Sequence, residues 1–247
     1  MFPEFLRGSA LWLGLLLAAP AQAGIVLNTT RVIYQATDKE VSFVVNNSGT
    51  ADILAQSWLE AQSDTENLPF VVTPPLARMA GSARQMIRVI YAGEGLPNDR
   101  ESVFWLNVQE IPQSAKDNQL QIAIRQRIKL FYRPAGLNGD PLDAAKSLEW
   151  RVHDGQLEVS NPTPYHVSMI QIDARQQGKT LFKADSRMLA PKQTVQLPLT
   201  RLASGHAVEL RFISINDFGA QEPYSAKVSG GQTTQAIKVA NVITRAE

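Results

Sequence analysis

The sequence contains no cysteine. That excludes a thiol nucleophile, a cysteine-ligated metal site and a disulfide staple. An exported protein can do without disulfides when its cores are large enough. Histidine is scarce: His153, His166 and His206 are the full set. None stands at metal-ligand spacing from another or beside a carboxylate cluster, so they read as surface or loop residues. There is no G-x-S-x-G elbow, no Gly-rich phosphate loop and no His-Glu-x-x-His helix. An excess of one charge is also missing: 24 Lys and Arg against 23 Asp and Glu leave a formal charge of +1. That disfavours nucleic acid or an acidic membrane surface as the main partner. Two carboxylate pairs, Asp64/Glu66 and Asp99/Glu101, are the nearest approach to a catalytic motif. A glycoside hydrolase needs its pair about 5–10 Å apart in a cleft, and closeness in sequence reads first as solvated loop. No internal repeat, low-complexity tract or heptad is present, and no metal or cofactor is expected.

What is present begins with a processing signal. Arg7 precedes an apolar run from Leu11 to Ala19, Pro20 breaks it, and Ala21-Gln22-Ala23 offers small residues to a signal peptidase. The run is shorter than the roughly 20 residues a membrane helix needs. Residues 1–23 therefore read as a signal peptide, with the mature chain starting at Gly24. No later stretch is apolar enough to insert into a membrane.

The rest, 44% hydrophobic, is dominated by short strands. Val26–Tyr34, Glu40–Asn46, Ile53–Ala61, Phe70–Thr73, Gln85–Tyr91, Ser102–Ile111 and Leu120–Tyr132 read as strands of a first half. Leu148–Val152, Gln156–Ser160, Val167–Ala174, Thr194–Leu197, Ala207–Ile215 and Gln235–Val242 make up a second half. His153-Asp154-Gly155 joins the first two as a hairpin turn, with a glycine where positive φ is needed. Pro134–Asp143 (PAGLNGDPLD) is the best linker by composition. The expectation is all-β: two sandwich domains of roughly 100 residues each, at 24–137 and 145–247.

Leu120–Pro134 (LQIAIRQRIKLFYRP) is unusual. It is long for a strand. Leu120, Ile122 and Ile124 share one face of an extended chain, while Arg125, Arg127, Lys129 and Arg133 make its later part basic. Such a segment can hold an extended apolar partner and a charged terminus together. Ile124 and Lys129 have opposite parity, so a flat strand points them to opposite faces. Placing both on one surface requires a bulge or a strong twist.

The ordered motifs resemble the periplasmic chaperones of the chaperone–usher pilus pathway. Thr30-Arg31-Val32-Ile33-Tyr34 resembles the family's first strand, and Thr73-Pro74-Pro75 with Leu76 and Arg78 the stretch before its fifth. Asp99-Arg100-Glu101-Ser102, Phe104 and Asn107–Pro112 resemble the sixth strand, and Ile128–Pro134 the end of the seventh. Asn161-Pro162-Thr163-Pro164-Tyr165 and Ile215-Asn216-Asp217-Phe218-Gly219 resemble motifs of the second domain. The resemblance spans essentially the whole chain after Ala23.

It implies two immunoglobulin-like β-sandwich domains set at an angle, with a cleft between them. It implies that Arg31 and Lys129 hold the C-terminal carboxylate of a pilus subunit there. It implies that the seventh strand is lent to an incomplete subunit sandwich, with Leu120, Ile122 and Ile124 filling the groove. Glu101, Arg133 and Asp217 match an interdomain ion cluster that fixes the domain angle. The partners implied are pilus subunits and an outer-membrane usher, in the periplasm; whether the free protein self-associates through the seventh strand stays open. The short loop Gln113–Asn118 resembles the branch with rod-forming clients. Two other readings compete: a fimbrial subunit or adhesin, which would need an N-terminal donor extension, and a carbohydrate-active enzyme using the carboxylate pairs.

Overall fold

The computed structural model describes residues 24–62, 68–113, 121–200, 202–203 and 205–240. Alternating apolar residues pair into strands throughout. The first half runs β1 (Ile25–Leu27), β2 (Arg31–Gln35), β3 (Val41–Asn47), β4 (Ile53–Glu60), β5 (Phe70–Thr73), β6 (Leu76–Met79), β7 (Arg84–Tyr91), β8 (Ser102–Pro112) and β9 (Arg125–Arg133). These form two sheets, β1-β3-β7-β5 and β2-β9-β8-β4-β6. Phe43 and Val45 of β3, Ile87 and Val89 of β7, and Phe104, Leu106 and Val108 of β8 point inward on the period of two and meet in one core.

The second half continues with β10 (Glu149–His153), β11 (Gln156–Ser160), β12 (Val167–Gln176), β13 (Lys179–Leu189), β14 (Thr194–Pro198), β15 (Val208–Ile215), β16 (Gln221–Val228), β17 (Thr234–Gln235) and β18 (Ile237–Lys238). Its sheets are β14-β11-β10-β17 and β13-β12-β15-β16-β18, closed on a separate core around Trp150, Phe212 and Met169. Asp154 (φ 48°) and Gly155 (φ 73°) both take the left-handed region between β10 and β11, as a type I′ turn demands.

Several sequence expectations need correction. Val26–Tyr34 is two strands: β1 pairs antiparallel with β3, while β2 pairs parallel with β9. The switch at 28–30 is held by Asn28, whose side-chain oxygen accepts from Val44 N at 2.8 Å. β6, β13 and β16 were not expected, because their mixed-polarity faces blur the alternation. Gln235–Val242 is not one strand; only the short β17 and β18 occur within 234–238. The seventh strand of the first half starts at Arg125, not Leu120; residues 121–124 precede it outside the ladder. Residues 1–23, Asp64, Glu66, most of the 113–118 loop and Leu120 lie outside the described residues.

Candidate functional site

β9 organises the site. Its ladder with β8 runs from Gln109↔Arg125 to Ser102↔Tyr132 with no register shift. Strict alternation follows. Ile128, Leu130 and Tyr132 face the sandwich core, and Arg125, Arg127, Lys129, Phe131 and Arg133 face outward. The bulge required to put Ile124 and Lys129 on one surface is absent from β9. Ile122 (69% exposed) and Ile124 (38%) precede the ladder; within β9, Lys129 and Arg133 reach second-domain residues, while Arg125 and Arg127 lie against the first domain.

Parallel pairing sets Arg31 of β2 directly beside Lys129 of β9. Both are half-buried. One Arg31 guanidinium nitrogen donates to Ile215 O at 2.8 Å, and its Nε has no hydrogen-bond partner among the described residues. Lys129 Nζ donates to Ser168 Oγ at a long 3.3 Å. Burial lowers the pKa of Arg31, although Asp217 and Glu101 pull the other way. Burial also lowers that of Lys129, and the neighbouring Arg31 adds to the shift. Two partly desolvated cations with unused donors form a site for an anion; a carboxylate matches a guanidinium and an ammonium at once.

Beside this pair lies an ion cluster spanning both halves. Arg133 bonds Glu101 at 2.7 Å and Asp217 at 2.8 Å. Burial opposes its charge, yet the bonds to Asp217 and the nearby Glu101 leave its pKa raised. His166 corrects the sequence reading. Its side chain is 5% exposed, and its backbone N–H and ring Nδ1 meet the second Glu101 oxygen at 2.8 and 2.9 Å. Nδ1 therefore carries a proton, since the carboxylate accepts. The signal missed was that His166 follows Asn161–Tyr165, a rigid corner whose Pro164 O accepts Glu101 N at 2.9 Å. Asp217 sits in the β15–β16 turn. There Gly219 (φ 79°) allows close approach, because a Cβ on it would fall 2.5 Å from Thr30 Oγ1. With Glu101 committed to Arg133 and His166, the Asp99/Glu101 pair has no free second carboxylate; Asp99 itself is exposed.

The outer face of β9 carries contacts that sequence spacing did not reveal. Arg125 stacks on Trp58 at 4.9 Å and Arg127 on Trp105 at 4.2 Å. Glu60 binds both arginines, at 2.6 and 3.2 Å. A hydrogen bond from Trp58, reinforced by the two guanidinia, keeps the Glu60 carboxyl below its ordinary pKa. Cross-strand register alone brings these residues together: Trp58 faces Asn107, which faces Arg127.

The chain matches two successive family domains: the pili and flagellar-assembly chaperone PapD N-terminal domain over residues 24–138, and the pili assembly chaperone PapD C-terminal domain over 143–226. The chaperone protein FimB/FhaD of Bordetella pertussis is 41% identical over 227 residues, covering 86% of this chain and 91% of that one. The crystal structure of the YadV chaperone superposes with a TM-score of 0.72 at 40% identity, over 83% of this chain and all of that one. A Salmonella enterica SafA pilin in complex with the SafB chaperone matches with a TM-score of 0.70 at 27% identity, over 85% of this chain and 99% of that one. Two domains in order, on an all-β frame, leave one assignment: the chain belongs to the PapD-type pilus-assembly chaperones, a family of binding proteins and not of enzymes.

Proposed function

We propose that this chaperone works in the periplasm, captures pilus subunits in the cleft between domains 24–137 and 145–247, and passes them to an outer-membrane usher. The observation that carries the reading is the Arg31–Lys129 register pair, two adjacent half-buried cations with donors to spare. They anchor the subunit's C-terminal carboxylate. The SafB chaperone, solved with its pilin, supports a subunit as the ligand class. A solved relative, SfaE, is described as a periplasmic chaperone, and the signal-peptide reading of residues 1–23 agrees with it.

From the anchor, the chain before β9 adds a strand to the subunit's open groove. Ile122 and Ile124, and Leu120 before them, are the groove-filling side chains. Each contributes roughly 1.5–3 kcal/mol on burial, so the three give on the order of 5–9 kcal/mol before ordering costs. Glu101, Arg133 and Asp217 hold the angle between domains, which sets the distance from anchor to groove. The test is affinity purification from periplasm with mass spectrometry of what is bound. Wild type brings down subunits, while Arg31→Ala and Lys129→Ala come down alone but folded. Normal co-purification by either variant sinks the anchor assignment.

A further inference from the structure

At the end of β8 remote from the cleft, Glu110 continues the inward series Phe104, Leu106, Val108. It is 8% exposed. Among the described residues its carboxylate accepts one hydrogen bond, a long one from Ile25 N at 3.3 Å. A buried carboxylate has room for several donors and is costly when they are missing. What closes over it is Gly24. A Cβ built on Gly24 would fall 1.7 Å from Glu110 Oε2 and 2.8 Å from its Cδ, so any side chain there would push the Glu110 carboxylate aside. Gly24 is held in place: its carbonyl accepts from Ser48 N at 3.2 Å and from Ser48 Oγ.

The Gly24 nitrogen is one bond, about 1.46 Å, from the Cα that touches the carboxylate. Inside a longer chain that nitrogen is a neutral amide with a single N–H. Hydrolysis of the Ala23–Gly24 bond leaves the new carboxyl on Ala23 and turns the nitrogen into an ammonium with three N–H donors. We propose that Glu110 is the receptor for this α-ammonium, so that removal of residues 1–23 supplies the charge partner that seats the N-terminus. The inference rests on the signal-peptide reading above. Its location links it to function. Ile25 O accepts from Gln126 Nε2 at 2.6 Å, and Glu110 N donates to Ile124 O at 2.9 Å. The seated terminus therefore braces the root of the segment that enters the subunit groove.

The experiment uses full-length mature protein beginning at Gly24, with and without enzymatic N-terminal acetylation, in wild-type and Glu110→Gln forms. Acetylation keeps the fold but removes the charge. It lowers the wild-type Tm by about 2–4 °C and speeds exchange of the Glu110 amide several-fold. In Glu110→Gln it shifts Tm by less than a third as much, because the partner is already gone. Equal shifts in both backgrounds overturn the pairing. Separately, the intact mass of protein isolated from periplasm reads its first residue: Gly24 supports the link to processing, and any other start overturns that link whatever the acetylation result.

Discussion

Lys129 is asked to stay charged where burial and Arg31 both disfavour its charge. Under the proposed function, an arriving carboxylate offsets that cost. Lys129→Met should therefore leave Tm unchanged or raise it by a few degrees, while subunit capture is lost; calorimetry and pull-down on the same preparation separate the two. The pH dependence has a definite sign. A base whose folded pKa is lowered binds fewer protons folded than unfolded between its folded pKa and its ordinary 10.5, so its contribution to folding stability rises with pH across that window. Capture needs the ammonium, so affinity should fall as pH climbs through the lowered value. Lys129→Arg should move that loss to higher pH, measured by subunit binding across an alkaline series. Arg31, Lys129 and Arg133 were identifiable as residues from their motifs. His166 was not, because its carboxylate partner lies 65 positions away.

At the scale of elements, β9 and the four residues before it divide the labour by parity. The outward series is pinned by Trp58, Trp105 and Glu60, which hold a strand root that lacks a β2 partner before Lys129. The inward series leaves the sandwich uncovered. Ile122→Ser and Ile124→Ser should barely change the Tm of the free protein, since both side chains are already exposed. Each should weaken subunit binding by about 10–100-fold, mainly through faster dissociation. Trp105→Ala should act differently: faster amide exchange over 125–128 in the free protein and a smaller loss of affinity, through lost preorganisation. Strand positions were readable wherever one face was apolar. The split of 25–35 between two sheets was not, because both pieces carry strand-forming residues and only pairing partners distinguish them.

For the whole molecule, the Glu101–Arg133–Asp217–His166 cluster joins two sandwiches that each have their own core. Arg133→Ala strands a buried Glu101 and should destabilise the protein by about 3–5 kcal/mol. Pairing it with Glu101→Leu should recover much of that stability while loosening the domain angle. Chemical denaturation measures the first effect and solution scattering the second; full recovery of both stability and angle would show the cluster to be dispensable for orientation.

The sequence by itself determined the all-β, two-domain character, the absence of thiol chemistry, and the ordered motifs that carry Arg31, Lys129, Glu101, Arg133 and Asp217. These depend on local alternation, turn residues and composition, which neighbouring positions encode. Only the tertiary structure decided that Arg31 and Lys129 are adjacent, that the ladder begins at Arg125 and leaves Ile122 and Ile124 exposed ahead of it, that His166 completes the ion cluster, and that Gly24 lies on Glu110. Each of those is a contact between distant segments, fixed by strand pairing and domain packing, and no local pattern specifies which distant strand a given strand will meet.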